Sequence, residues 1–253
     1  CIPTTPVGGN PTPNMLTGKI KSADITLLSI GGQNNLNYNF EYDTTSAKLS
    51  VIKVVSSGFP VYTKTYTVEY LSDKVIVKDF TGISGHIYFL KPSTNLIDSI
   101  YLYDAGQKIR ETVVERTPSN DLSVIYFNSD RTEKITDFQY VNGNLIAYKA
   151  SMFNAMAFQT VNTSYQINYD NTKSRKPGLT FLLNRNESSL NIRDLIFDPD
   201  ILGLSFGNTS TNLPLSLSWS EPVGMTGNTG STNFINNNYS ANSSSPYLFT
   251  IDK

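Results

Sequence analysis

Three kinds of side chain in this sequence could do chemistry, and their placement narrows what that chemistry would be. Cys1 is the only cysteine in 253 residues and stands ahead of an uncharged, Pro/Gly/Thr-rich leader that runs to Gly18. A thiol so placed suits acylation after cleavage of a signal peptide, with Cys1 as a lipidated anchor and residues 1–18 as a flexible tether. One short acyl chain holds a protein to a bilayer only marginally, so a stable anchor takes two or more. A single thiol also excludes an intramolecular disulfide and a cysteine-built zinc site.

His86 is the only histidine, which rules out a multi-histidine metal cluster and leaves any Ser/His/Asp triad resting on this one residue. It lies in Gly85-His86-Ile87 at the expected start of a strand, and the expectation is a satisfied or exposed turn residue. Carboxylate pairs are the remaining candidates, because glycoside hydrolysis needs two of them roughly 5 to 10 Å apart across a cleft. Asp198 and Asp200 flank Pro199 as ordinary turn chemistry, with too few neighbouring ligands for calcium. Glu111 and Glu115, and Glu41 and Glu69, read as polar strand positions. Gly8-Gly9 and Gly31-Gly32 lack the lysine and helix of a phosphate loop. The expectation is therefore a non-enzymatic protein with no cofactor and no metal.

Composition points the same way. Charged residues make up 16% against a typical value of about 25%, and the balance is taken by Asn, Ser, Thr and 15 tyrosines. Twenty Lys+Arg against 21 Asp+Glu give no basic field for a polyanion, so no nucleic-acid partner is expected. No apolar run approaches the roughly 18 residues of a membrane-spanning helix.

The elements that must position these groups are strands. Tyr38, Phe40 and Tyr42 alternate with Asn37, Asn39 and Glu41, as a half-buried antiparallel strand does. The pattern returns as Tyr66-x-Val68-x-Tyr70 and Tyr165-x-Ile167-x-Tyr169, and more loosely at 87–90, 100–103, 124–127 and 138–140. Turn residues follow at Asp43 to Ser46, Ser72-Asp73, Asp104-Ala105-Gly106, Asn128 to Asp130, Asn142-Gly143-Asn144 and Asp170-Asn171. Strand plus turn takes roughly a dozen residues, which gives on the order of 14 to 18 strands. The fold class is all-β: a wide antiparallel meander of repeated hairpins, curled or barrel-like, forming one domain over residues 19–253. One short helix is expected over Ser188 to Phe197, ended by Pro199. Leu215, Leu217 and Trp219 mark a further strand and Tyr247, Phe249 and Ile251 a closing one. Between them Gly224 to Ser245 reads as a long polar loop whose Phe234, Ile235 and Tyr239 are candidate partner contacts.

The tyrosine strands followed by Asp (Tyr38-Asn39-Phe40-Glu41-Tyr42-Asp43 and Tyr165-Gln166-Ile167-Asn168-Tyr169-Asp170), together with residues 138–146 and the Leu202-Gly203-Leu204-Ser205 to Asn212-Leu213-Pro214 segment, resemble the tyrosine-aspartate repeat lipoproteins of Bacteroidota. The resemblance spans about residues 36–251 and implies an open or barrel-like antiparallel sheet at the cell envelope, with no catalytic residue to carry over. Asp43-Thr44-Thr45 and Asp98-Ser99-Ile100 resemble the O-glycosylation signal of that phylum, making Thr44 and Ser99 candidate modification sites. Surface-exported relatives often carry acidic residues after the cysteine; Ile2 to Pro6 has none, so cell surface and periplasmic leaflet both stay open. Together these readings give the expectation of an outer-membrane lipoprotein, lipid-anchored at Cys1, that acts as an accessory subunit docking on an integral outer-membrane or envelope protein complex. The alternative is a glycan-binding surface lipoprotein presenting solvent-facing tyrosines.

Overall fold

The computed structural model describes residues 22–29, 32–57, 61–127, 129–154, 158–174, 202–208, 210–221, 229–233 and 247–249. Fifteen strands form one sheet. They are β1 (Ser22–Ser29), β2 (Gly32–Tyr42), β3 (Leu49–Ser56), β4 (Tyr62–Tyr70), β5 (Lys74–Asp79), β6 (Gly85–Leu90), β7 (Ile97–Asp104) and β8 (Gln107–Arg116). The chain continues through β9 (Leu122–Tyr126), β10 (Lys134–Val141), β11 (Asn144–Asn154), β12 (Gln159–Ser174), β13 (Asn212–Ser220), β14 (Thr229–Asn233) and β15 (Tyr247–Phe249). From β1 to β14 each strand pairs antiparallel with the next, and β15 returns to pair parallel with β1, so the order runs from β14 to β15 without those two meeting. The sheet is not closed. Among the described residues there is no α-helix.

A sheet this wide twists and curls, and the burial pattern shows which face turns inward. Tyr38, Phe40, Ile52, Val54, Tyr66, Val75, Val77, Tyr88, Ile100, Val114, Ile125, Ile135, Tyr148, Met152, Tyr165 and Ile167 share one continuous hydrophobic core. The residues between them face outward: Lys53 opposite Thr65, Thr67 opposite Lys78, Lys149 opposite Ser164 and Asn168 opposite Ser216. Period-two alternation thus decides both the face and the register, since a one-residue slip would turn the tyrosines to water. The outer face is mixed, since Val51, Ile76, Ile87, Phe89, Tyr101 and Val113 stand on it beside the lysines and threonines.

Hairpin chemistry holds at most of the turns that the sequence predicts. Ala105-Gly106 and Asn142-Gly143 have both central residues at positive φ (49 and 74°, 50 and 75°), the mirror-image turn whose twist matches paired strands. At Asp43 the carboxylate accepts from the Ser46 N–H at 2.7 Å and the Ser46 hydroxyl at 2.8 Å, which holds its pKa below the ordinary carboxylate value.

Two expectations are corrected here. Asp170-Asn171 does not turn the chain: β12 continues to Ser174, and the Asp170 carboxylate instead accepts from the Thr172 N–H and hydroxyl within an irregular stretch of the pairing with β13. The expected loop over Gly224 to Ser245 contains β14, which adds to β13 through a five-residue register despite its polar Thr-Gly-Ser-Thr-Asn sequence. The expected closing strand forms over Tyr247–Phe249 and pairs parallel with β1. The tether, the helix expected over Ser188 to Phe197, Asp198 and Asp200 lie outside the described residues.

Candidate functional site

The strongest convergence of side chains lies at the end of the sheet where the even-numbered strands finish, and the tyrosine pattern builds it. In β4 and β12 the first aromatic of each repeat, Tyr66 or Tyr165, is buried in the core. The last, Tyr70 at the end of β4 or Tyr169 five residues short of the end of β12, directs its hydroxyl at main chain. Tyr70 donates to the Leu202 carbonyl at 3.2 Å, and Tyr169 donates to the Leu145 carbonyl at 2.7 Å while lying 2.9 Å from the Ser210 hydroxyl. Tyr140 ends β10 in the same way, its hydroxyl accepting from the Leu122 N–H at 3.3 Å. Desolvation pushes the phenols of Tyr70 and Tyr140 up to about 12, so these groups act as neutral hydrogen-bonding hydroxyls.

What they hold is a strap, described over residues 202–208 and 210–212, that crosses this end. Leu202, Leu204 and Phe206 insert into the core. The Ile97 N–H donates to the Ser205 carbonyl at 2.8 Å and the Ser205 N–H to the Asn95 carbonyl at 3.0 Å, an isolated parallel bridge. Arg116 projects from the end of β8 and donates to the carbonyls of Phe206, at 2.7 Å, and Ile97. Burial lowers its pKa, opposed by nearby Asp98, and the planar fork satisfies two carbonyls at once. The Asn208 amide donates to the Ser119 carbonyl and the Asp121 carboxylate at 2.8 and 2.9 Å. Buried Asn144 accepts at Oδ1 from the Thr211 and Asn212 N–H groups at 3.0 and 2.9 Å. The Leu202 to Asn212 segment is therefore an end cover. The tyrosines stand out in sequence, but their pairing with the strap does not, because partners lie up to 132 residues apart.

Inside the sheet, Tyr148 stacks on Tyr165 from the neighbouring strand at 4.7 Å and 11°, and burial raises the Tyr148 phenol well above its ordinary value. His86 differs from its expectation: it is not a turn residue but an inward-facing member of β6, 2% exposed, between Val77 and Leu102 across the ladders. Neither ring nitrogen has a hydrogen-bond partner, and desolvation lowers its pKa to about 4. It is a neutral imidazole 6.0 Å from the Tyr88 ring.

The other predicted sites fall apart from one another. Thr44 is exposed in the turn after β2. Ser99 is half-buried within β7, paired with Phe89 and Val113. Cys1, Phe234, Ile235 and Tyr239 lie outside the described residues. Glu69, Glu111 and Glu115 are paired with Lys78, Lys108 and Arg131 on the outer face. Among the described residues no group of three His, Cys, Asp or Glu side chains is placed to hold a metal ion. Composition gives no sign of one outer-face feature: Phe89 and Tyr101 lie 4.7 Å apart, with Lys108 Nζ 4.4 Å above the Tyr101 ring.

The fold has solved counterparts. A porin-like protein from Bacteroides uniformis ATCC 8492 superposes with a TM-score of 0.56 at 16% identity, over 89% of this chain and 86% of that one. A porin-like protein from Bacteroides vulgatus ATCC 8482 gives a TM-score of 0.53 at 13% identity, over 87% of each chain. At these identities the likeness is one of fold. No protein-family model matches the chain, and no curated protein matches it in sequence.

Proposed function

We propose that this protein is an envelope lipoprotein, anchored at the outer membrane through Cys1, that serves as a non-enzymatic accessory subunit for an integral envelope protein. The observation that carries this reading is the filled inner face of the sheet. Its neighbours in fold are described as porin-like, yet here tyrosine, isoleucine and valine side chains pack the inner face into a continuous core. An interior of that kind is not the polar lumen of a spanning barrel. A body of this sort recognises partners through its turns, its uncovered edges and its outer face. The Bacteroides origin of both neighbours supports an envelope setting.

The test is purification from native membranes. The N-terminal peptide should carry acyl chains on Cys1, Cys1→Ala should release the protein to the soluble fraction, and detergent-solubilised envelopes should yield an integral membrane protein bound to it. An unmodified Cys1 thiol in natively expressed protein would overturn the anchor, and recovery of the acylated protein alone would overturn the subunit reading.

A second reading, glycan binding, is favoured by the Phe89–Tyr101 pair, since adjacent outer-face rings present a stacking platform for a sugar. A shift on a polysaccharide gel without any protein partner, abolished by Tyr101→Ala, would select it.

A further inference from the structure

An antiparallel meander sends alternate connections to opposite ends, and the two ends of this sheet differ in chemistry. The strap covers the end where even-numbered strands finish. At the opposite end, where odd-numbered strands finish, large apolar side chains stand in water: Val61 before β4 (76% exposed), Phe80 and Ile83 in the β5–β6 turn (82% and 50%), Ile109 just after the β7–β8 turn (58%) and Phe158 in the β11–β12 connection (84%). Phe80 is presented by a braced turn. The Asp79 carboxylate accepts from the Thr81 hydroxyl at 2.8 Å and from the Ile83 and Ser84 N–H groups at 3.2 and 3.4 Å. The Gly106 N–H donates to the Ile83 carbonyl at 3.1 Å, tying this turn to the next connection.

Toward the same end three tyrosines have cations over their rings: Lys64 by Tyr62 at 5.7 Å, Lys108 by Tyr101 at 4.4 Å and Arg131 by Tyr126 at 4.8 Å. This end thus gathers exposed apolar tips with tyrosines, lysines and an arginine. Those are the residue types of a bilayer interface, where apolar groups enter the acyl region, tyrosine sits at headgroup level and long cationic side chains reach water.

From this grouping we propose that the end carrying Val61, Phe80, Ile83 and Phe158 docks on a lipid surface, its turn tips entering the bilayer. The occupant follows from the form of the surface. The apolar groups are separate points on different turns rather than the walls of one groove, so a deformable lipid face accommodates them where a protein would need a matching relief. Local charge balances, with Lys64, Lys108, Arg131 and Lys134 set against Asp79, Asp104, Asp130 and Glu133, so apolar insertion rather than attraction to anionic lipid supplies the attachment. The inference goes beyond acyl anchoring and holds whether or not Cys1 is acylated.

The full chain carrying Cys1→Ala, so that no acyl chain contributes, is mixed with phosphatidylethanolamine/phosphatidylglycerol vesicles and floated on a density gradient. The protein should float, and raising the salt should not release it. Phe80→Ser with Phe158→Ser should weaken binding by about ten-fold for each phenylalanine lost, whereas Leu71→Ser with Val141→Ser, at the strapped end, should leave it unchanged. Phe158→Ser alone, at a residue outside every strand, keeps the comparison decisive if the double variant fails to fold. Failure to float, or equal flotation of the Phe80/Phe158 variant, overturns the proposal. So does flotation only with vesicles that contain envelope proteins, which would assign this end to a protein partner, and so does self-association abolished by the same substitutions, which would assign it to a second copy.

Discussion

Arg116 donates from Nε to the carbonyl of Phe206 across 90 residues of sequence at 2.7 Å. This contact fastens the strap to the centre of the sheet, because the same guanidinium also donates to the carbonyl of Ile97, whose N–H holds Ser205. Arg116→Met should leave two carbonyls without their charged donor and cost about 2–3 kcal/mol, read from urea unfolding. Hydrogen exchange should accelerate first at the Ile97 and Ser205 amides, and Arg116→Lys should restore less than half of the loss because an ammonium has no planar fork.

His86 makes the fold sensitive to acid. Its folded pKa, about 4, lies below the ordinary value of 6.5, so between these pH values the unfolded chain binds a proton that the folded chain refuses. Stability from this residue is fully present above pH about 6.5 and falls as the pH drops toward 4, by roughly 3 kcal/mol over that window. His86→Leu should flatten this part of the pH–stability curve, measured as urea midpoints at pH 7 and pH 5. Equal slopes in both proteins would show that the imidazole is not the group responsible.

Tyr148 and Tyr165 are direct cross-strand partners and stack nearly parallel. A double-mutant cycle with Leu at each position should give a coupling energy of about 0.5–1.5 kcal/mol beyond the area each ring buries. Additive losses would mean that the rings act only as bulk.

Two backbone positions should respond in opposite directions. A Cβ on Gly85 would meet the Val77 carbonyl oxygen at 2.0 Å, within the β5–β6 pairing itself, so Gly85→Ala should rank among the most damaging single-methyl additions in the protein. Ala105, by contrast, holds φ at 49° in an exposed turn, where Asn or Gly is favoured. Ala105→Asn should raise stability by about 1 kcal/mol, seen as a higher Tm.

Strand identity, facing and most turns were legible in sequence because each follows from local chemistry: alternation at Tyr38-Phe40-Tyr42, and a residue pair tolerant of positive φ at Asn142-Gly143. Asp170 misled because a carboxylate that accepts from its own downstream N–H looks the same in a turn and in an irregular strand. β14 was hidden because its pairing with β13 requires no apolar face. The strap was invisible for a different reason. Arg116, Asn144 and Tyr169 acquire their partners through the tertiary course of the chain, and nothing in the spacing of those residues encodes it. His86 was misjudged because a strand start and a strand interior differ by one or two residues, and that difference decides whether an imidazole meets water.

The pairing of β15 with β1 sets an order of events during synthesis. From β1 to β12 each strand pairs with the next across a short connection, so that part of the meander can zip together as it emerges. β1 acquires its second neighbour only when Tyr247–Phe249 arrive, more than two hundred residues later. Until then a row of unpaired N–H and C=O groups at the N-terminal edge is open to any other extended chain. The interval between emergence of β1 and arrival of β15 is thus the period in which a chaperone would have most to protect, and truncation of the last seven residues would make that exposure permanent.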